Sequence, residues 1–260
     1  MNRALSAAAT GMQAQQANID RVSNDISNVN TDGYKKSRIE FKDLMYQTVN
    51  APGENVDAGQ IRPVGVQAGS GVKVGASYKM FEQGPTKMTY HPFDVMIDGK
   101  GFFPVERPNG EILYTRTGSF HLNQDGGLSL SDGSKLIPEV TIPNNARKVT
   151  ISSQGEIRAL LSDGQEAIIG QIQLITFQNE QGLTAEGSGL YNVTSASGPP
   201  NQEVPGENGT GLVLQGALEG SNVNVANSMI EMISAQRAYE MGAKVMKVAD
   251  DMMSATINIK

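Results

Sequence analysis

Apolar residues recur every seven positions at both ends of this chain, and between the two ends that period gives way to short alternating runs. Near the N-terminus Leu5, Met12, Ile19 and Ile26 share one heptad position, and Ala8, Gln15, Val22 and Val29 the position three further on. Near the C-terminus Val225, Met232, Tyr239, Met246 and Met253 repeat at seven, with Met229, Ala243 and Ile257 at the paired position. The spacing predicts two long helices, over 1–30 and 224–259, each carrying a coiled-coil-like seam for a partner helix. The first seam is weak, because Gln15 and several alanines occupy core positions. The second helix carries a further apolar line, Ile230, Ile233, Met241, Val245, Val248, Met252 and Ile259. Apolar side chains then cover more of its circumference than one partner can bury.

The tetrapeptide SNVN stands at the inner end of both patterns, as residues 27–30 and 221–224. Asn28 and Asn30 are poor helix formers, and Gly33 supplies a left-handed residue where the first helix stops. Asn222 or Asn224 suits the N-cap of the second helix. If the helices pair antiparallel, both copies lie at the end where the chain leaves for a middle region and returns from it. These five residues are the expected junction.

Between the helices the sequence reads as short strands. In the run FDVMIDGKGFFPVE, Phe93, Val95 and Ile97 fall on one face. Turn signals recur at the spacing of an all-β sandwich or barrel: Asn109-Gly110, Asp125-Gly126, Asp132-Gly133, Gln154-Gly155 and Asp163-Gly164. Residues 50–71 and 198–211 are rich in Gly, Pro and Asn and read as extended connectors. The expected architecture is α+β: a discontinuous helical assembly domain (1–33 and 222–260), a connector region (34–80 and 198–221) and an all-β middle domain (81–197). The connector around Tyr46, Gln47, Pro52, Gly53, Pro63 and Gly65 has too few large apolar residues to form a core, so it is expected to touch neighbouring subunits.

Composition narrows the function. The 260 residues carry a net charge of −6 with 21 Lys plus Arg, which argues against a phosphate-backbone ligand. There is no cysteine, so thiolate metal and redox chemistry are excluded. No run approaches the ~20 apolar residues of a membrane helix, and the N-terminus lacks the apolar core of a signal peptide. The two histidines, His91 and His121, have no partner at metal spacing. LNQDGGLSL lacks the oxygen ligands of a calcium loop and reads as a hairpin turn. Neither catalytic residues nor a cofactor or metal site is expected; the chemistry is association. A soluble binding module with a coiled-coil stalk is the alternative, distinguished by a closed oligomer in place of an open polymer.

Three separated segments carry a family resemblance. DRVSNDISNVNTDGYKKSRIEFKDLMYQ resembles the Asn-rich segment that ends the first helix of bacterial flagellar rod and hook proteins. EGSNVNVANSMIEMISAQRAYEMGAKVMKVADDMM resembles their C-terminal helix, and GKGFFPVERPNGEILYTRTGSFHLNQDGGL the opening of their β domain. The chain departs from the family pattern at Asp25, Ser27 and Pro104. Its length and connector favour a rod member, since hook protein carries an additional outer domain. The resemblance implies a structural, non-enzymatic subunit in the basal-body rod that crosses the periplasm, exported without a cleaved signal peptide. The partners it implies are further copies of the chain in a helical tube, proximal rod proteins, hook protein, the surrounding bushing rings and the export apparatus. On this reading the assembly surface comprises Leu5, Met12, Ile19, Val22, Ile26 and Val29 of the first helix. From the second it takes Val225, Met229, Ile230, Ile233, Tyr239, Val245, Met246, Val248, Met252, Met253 and Ile257.

Overall fold

The structure, a computed structural model, describes residues 3–53, 55–56, 60–61 and 64–258. The fold is α+β, with a long helix near each end and a mostly β middle. Two compact units result. One comprises Met1–Ile26, Ser37–Tyr78 and Asn224–Lys260; the other comprises Ser27–Lys36 and Lys79–Val223.

In the helical unit, α1 (Arg3–Ser27) and α2 (Val225–Asn258) run antiparallel. Arg21 pairs with Glu231 at 2.6 Å, and nine residues nearer the α1 start Met12 faces Gly242. The α2 N-terminus is capped by Asn224, whose Oδ1 accepts the Asn227 N–H at 3.1 Å. Residues 37–79 do not trail as a connector. Ser37–Asp43 pairs with Val72–Lys79, and Gln47–Asn50 with Val66–Ala68 antiparallel, so the stretch folds back on itself as a two-stranded ribbon. It is fastened to α1 at both roots. Buried Asp25 accepts the Ser37 N–H at 3.1 Å and Arg21 at 3.0 Å, while Thr10 Oγ1 accepts the Val72 N–H at 3.4 Å. Gly71 lies so close to Ala7 and Thr10, at φ +112°, that a side chain there would collide with the helix.

The β unit is built around a seven-stranded antiparallel sheet. Its order is His121–Leu122, Leu128–Ser129, Lys135–Leu136, Phe103–Glu106, Ile112–Thr115, Leu190–Asn192 and Thr184–Gly187. A three-stranded meander of Ala146–Ile151, Glu156–Leu161 and Glu166–Gln171 accompanies it. All five X-Gly turns named above put glycine at positive φ, from 79° to 87°. The calcium-like segment is one of them: Asn123 Oδ1 accepts the N–H groups of Asp125 and Gly127 at 2.9 and 2.8 Å. Val95, Ile97, Phe103, Val105, Leu113, Phe120, Ile157 and Leu174 form the main core, and Phe102, Tyr114, Phe177 and Tyr191 a second, aromatic one. Met96 is as buried as its neighbours, so the Val95–Asp98 strand is covered on both faces and does not alternate.

Two stretches differ from expectation. Residues 198–221 hold three strands: Asn201–Glu203 pairs with Leu174–Thr176, Leu212–Gln215 with Val95–Asp98, and Ala217–Glu219 with Thr86–Met88. Residues 27–36 belong to the β unit, where Gly33 and Lys35 hydrogen-bond to Glu219.

Candidate assembly surfaces

On α1 the expected seam is covered. Val22 is fully buried, and Leu5, Met12, Ile19 and Ile26 are half-buried. Val29, in the β unit, is half-buried as well. On α2 the covered line joins three methionines of the expected heptad position to small residues. It runs through Ser228, Met232, Ala235, Ala238, Gly242, Met246, Ala249 and Met253, with Ala235 and Ala249 fully buried. Val225, Met229 and Tyr239, placed on the seam by their hydrophobicity, are exposed. The cause is close approach. A Cβ at Gly242 would stand 2.7 Å from Met12 Cγ, so small residues line the contact with an alanine-rich α1. Helical period identified the helix, but residue size decided which face is inside.

Other bulky residues of α2 therefore point outward. Ile230, Val248 and Met252 are 65%, 55% and 60% exposed, and Met229, Ile233, Met241 and Val245 accompany them. The ribbon repeats the pattern: Phe41, Met45, Tyr46, Val49, Val64, Val66 and Val74 are exposed. Gln47 and Pro52 are exposed there, and Gly53 turns at φ +85°. Gly65 packs against the backbone of Asn50 and Pro52, leaving no room for a Cβ. Pro63, Ile259 and the side chain of Ile257 lie outside the described residues.

The two SNVN copies do different work. Asn28 accepts the Thr31 N–H through its carbonyl at 3.2 Å, and Asn30 is exposed. Gly33 adopts φ +73° and donates its N–H to the Glu219 carbonyl at 2.6 Å, with Thr117 filling the space a side chain would need. Asn222 does not cap α2; Asn224 does. The Asn222 side chain is a three-point clamp that accepts the Lys36 N–H at 2.7 Å and donates to the carbonyls of Met80 and Glu82 at 2.9 and 3.1 Å.

Beneath this clamp lies a charge cluster that sequence patterns did not reveal. Lys35 Nζ donates to Glu219 Oε1 at 2.6 Å and to the Glu82 carbonyl at 2.7 Å. Glu219 Oε1 also accepts the Gly84 N–H at 2.9 Å, and its Oε2 faces Arg116 Nη1 at 3.6 Å. Arg116 donates to the Gly99 carbonyl at 2.8 Å and lies over the Phe102 ring. Side-chain exposure is 0% for Lys35 and Glu219 and 2% for Arg116. Burial pushes the Lys35 ammonium below its ordinary pKa; Glu219 opposes the shift and Arg116 adds to it. The cluster unites residues 184 positions apart, and no local period signals such a pair.

Among the described residues no group of three or more His, Asp or Glu could hold a metal ion, and no helix is long and apolar enough to cross a membrane. His91 lies 3.5 Å from Asp94, and both His91 and His121 are exposed.

Comparison with known proteins follows the same divisions of the chain. Residues 5–35 match the family model described as flagella basal body rod protein, and residues 214–259 the flagellar basal body rod FlgEFG protein C-terminal model. Residues 96–159 match the flagellar hook protein FlgE/F/G D1 domain. The flagellar basal-body rod protein FlgG of Caulobacter vibrioides is 46% identical over 99% of this chain and 99% of its own length. That of Buchnera aphidicola is 43% identical over 94% of each chain, and that of Borreliella burgdorferi 42% identical over 100% of this chain and 99% of its own.

Proposed function

The chain belongs to the flagellar basal-body rod protein family, structural components of the flagellum, and from that premise we propose that it is the distal rod subunit. In this role it polymerises into a tubular driveshaft that carries motor torque to the hook. The observation that carries the reading is the uncovered apolar face of α2, with Ile230, Ile233, Val245, Val248 and Met252 exposed on a helix whose other side already packs on α1. Covering such half-exposed side chains contributes about 1 kcal/mol each. A head-to-tail contact that does not close on itself extends as a helical filament. The ribbon of residues 37–79 supplies a second surface of the same kind, which we assign to adjacent subunits.

The partners that fit are copies of the chain along the tube, proximal rod proteins at one end, hook protein at the other, the bushing rings around the tube and the export apparatus that delivers the subunit. The reading places the tube across the periplasm, its subunits exported without cleavage of a signal peptide, and assigns no catalytic role. Electron microscopy of the purified chain at rising concentration tests it. Wild type should give straight tubes, and the pair Ile233→Glu and Val248→Glu should leave folded monomers. A closed oligomer of fixed size would overturn the proposal, as would tubes formed undiminished by the double variant.

A further inference from the structure

We propose that the exposed methionines of the assembly surfaces are modification sites, where hydrogen peroxide turns the free subunit into one that does not polymerise. The inference rests on reading the outer face of α2 and the ribbon as the surfaces that bind further copies. With no cysteine and no tryptophan in the chain, the methionine thioether is its side chain most readily oxidised by peroxide. The placement of the methionines is uneven. Among the described residues five stand half exposed or more, and four of them lie on the two surfaces: Met45 on the ribbon, and Met229, Met241 and Met252 on α2. The fifth, Met88, belongs to a strand of the β unit. Within α2 the contrast is direct. Met232, Met246 and Met253 are half-buried on the line that faces α1, whereas Met241 stands one turn from exposed Val245 and two from exposed Val248.

The step balances without a further reagent. Peroxide gives one oxygen atom to the sulfur: an S–O bond forms, the O–O bond breaks, the thioether loses two electrons and the rest of the peroxide leaves as water. The sulfoxide keeps the length of the side chain but is polar. On a side chain that already faces water, this changes the folded subunit little. Carried into a packed contact between subunits, the same oxygen is an acceptor buried among Ile and Val side chains, which offer it no donor. The oxidation is therefore silent in the monomer and disruptive at the contact. In a tube these sulfurs are covered, so subunits are sensitive before assembly and protected after it.

Full-length monomers treated with dilute hydrogen peroxide, then freed of it and assembled beside untreated ones, test this. Peptide mass mapping should find oxygen at Met45, Met229, Met241 and Met252 well before Met96 and Met246, with the urea midpoint of the monomer unchanged. Treated subunits should need about ten times the concentration to form tubes, and reduction by the two methionine sulfoxide reductases should restore them. A variant combining Met45→Leu, Met229→Leu, Met241→Leu and Met252→Leu should polymerise like wild type and go on doing so after treatment, although its Met88 is oxidised. Treated wild type that assembles like untreated would overturn the proposal. So would a fourfold variant that treatment still inhibits, a loss that the reductases do not reverse, or equal oxidation of the four sites in preformed tubes. Untreated wild type that forms no tubes would overturn the reading of the surfaces themselves, and this proposal with it.

Discussion

Val95, Ile97, Phe103, Val105 and Leu113 of the β unit are fully covered by their own chain, whereas Ile230, Ile233, Val245 and Val248 on α2 stand about half open or more to solvent. The residue types are the same and their placement is opposite. In the sheets these core side chains meet strands that the same molecule returns to them, although Ile112 and Ile168 stand half open or more on the outside of the unit. On α2 one face is spent on a close contact with α1 lined by small residues and methionines, and Ile230, Ile233, Val245 and Val248 are left without cover. The free energy of those side chains is available to other molecules, which is where a structural subunit of a polymer needs it.

The sharpest way to break the contrast is to cut the chain. A fragment of residues 27–223 keeps every strand of the β unit and should unfold in one cooperative thermal transition. A fragment of residues 72–210, which the connector reading of the sequence would have made self-sufficient, lacks Leu212–Gln215, Ala217–Glu219 and Lys35 and should show no such transition. If the shorter piece melts as cooperatively as the longer, the unit is not completed by its returning strands. Next in size, Phe103→Ala should cost about 3–5 kcal/mol in urea unfolding of the monomer, because it empties a fully buried site. Gly33→Val should cost about 3 kcal/mol, from a β-branched residue at φ +73° and from collision with Thr117. Since Gly33 packs in the β unit, that loss should appear in monomer stability.

Alkaline pH sharpens the comparison further. Burial raises the Tyr191 phenol to about 12 from an ordinary 10.0, and it raises Tyr114 in the same direction. A phenol held neutral in the native state contributes stability that is complete below pH 10 and is lost as pH rises toward 12. Lys35 acts in the opposite sense: its lowered pKa makes stability rise with pH in the window just below 10.5. Tyr191 should therefore account for a loss of roughly 2–3 kcal/mol between pH 10 and 12, and Tyr191→Phe should remove that part of the slope in urea midpoints. The smallest effect should be Ile230→Ala, within about 0.5 kcal/mol in the monomer. A cost for Ile230→Ala near that of Phe103→Ala would mean the α2 face is already covered within one molecule.

The helices, the turns and the β character of the middle were legible in the sequence because each has a short-range signature. The seven-residue period marked α1 and α2, and the five X-Gly pairs marked turns that do adopt positive φ. The faces of α2 were legible only in part: the heptad position found the covered Met232, Met246 and Met253, but period and hydropathy rank Tyr239 and Val225 above Ala235 and Gly242, while the packing distance ranks them the other way. The Leu212–Gln215 strand was hidden for another reason. Its pairing with Val95–Asp98 spans more than a hundred residues, and the Gly, Pro and Asn just before it read as linker. The two matching tetrapeptides drew notice to Asn222, but its task as a clamp depends on Lys36, Met80 and Glu82 arriving together.

That clamp has a consequence for modular exchange. The chain leaves the β unit after Lys36, re-enters at Lys79 and leaves again after Val223, and Lys36 and Met80 are joined both to each other and to Asn222. Three of the four covalent crossings of the β unit, those beside Lys36, Lys79 and Val223, are thus gathered like sockets around one amide side chain, and the fourth is at Ser27. The turns at Gly110 and Gly164, where an added side chain would meet nothing within 4 Å, are free to accept inserted sequence without disturbing those sockets. Outer elaborations of differing size can therefore be carried on the β unit while the ends that feed α1 and α2 stay as they are.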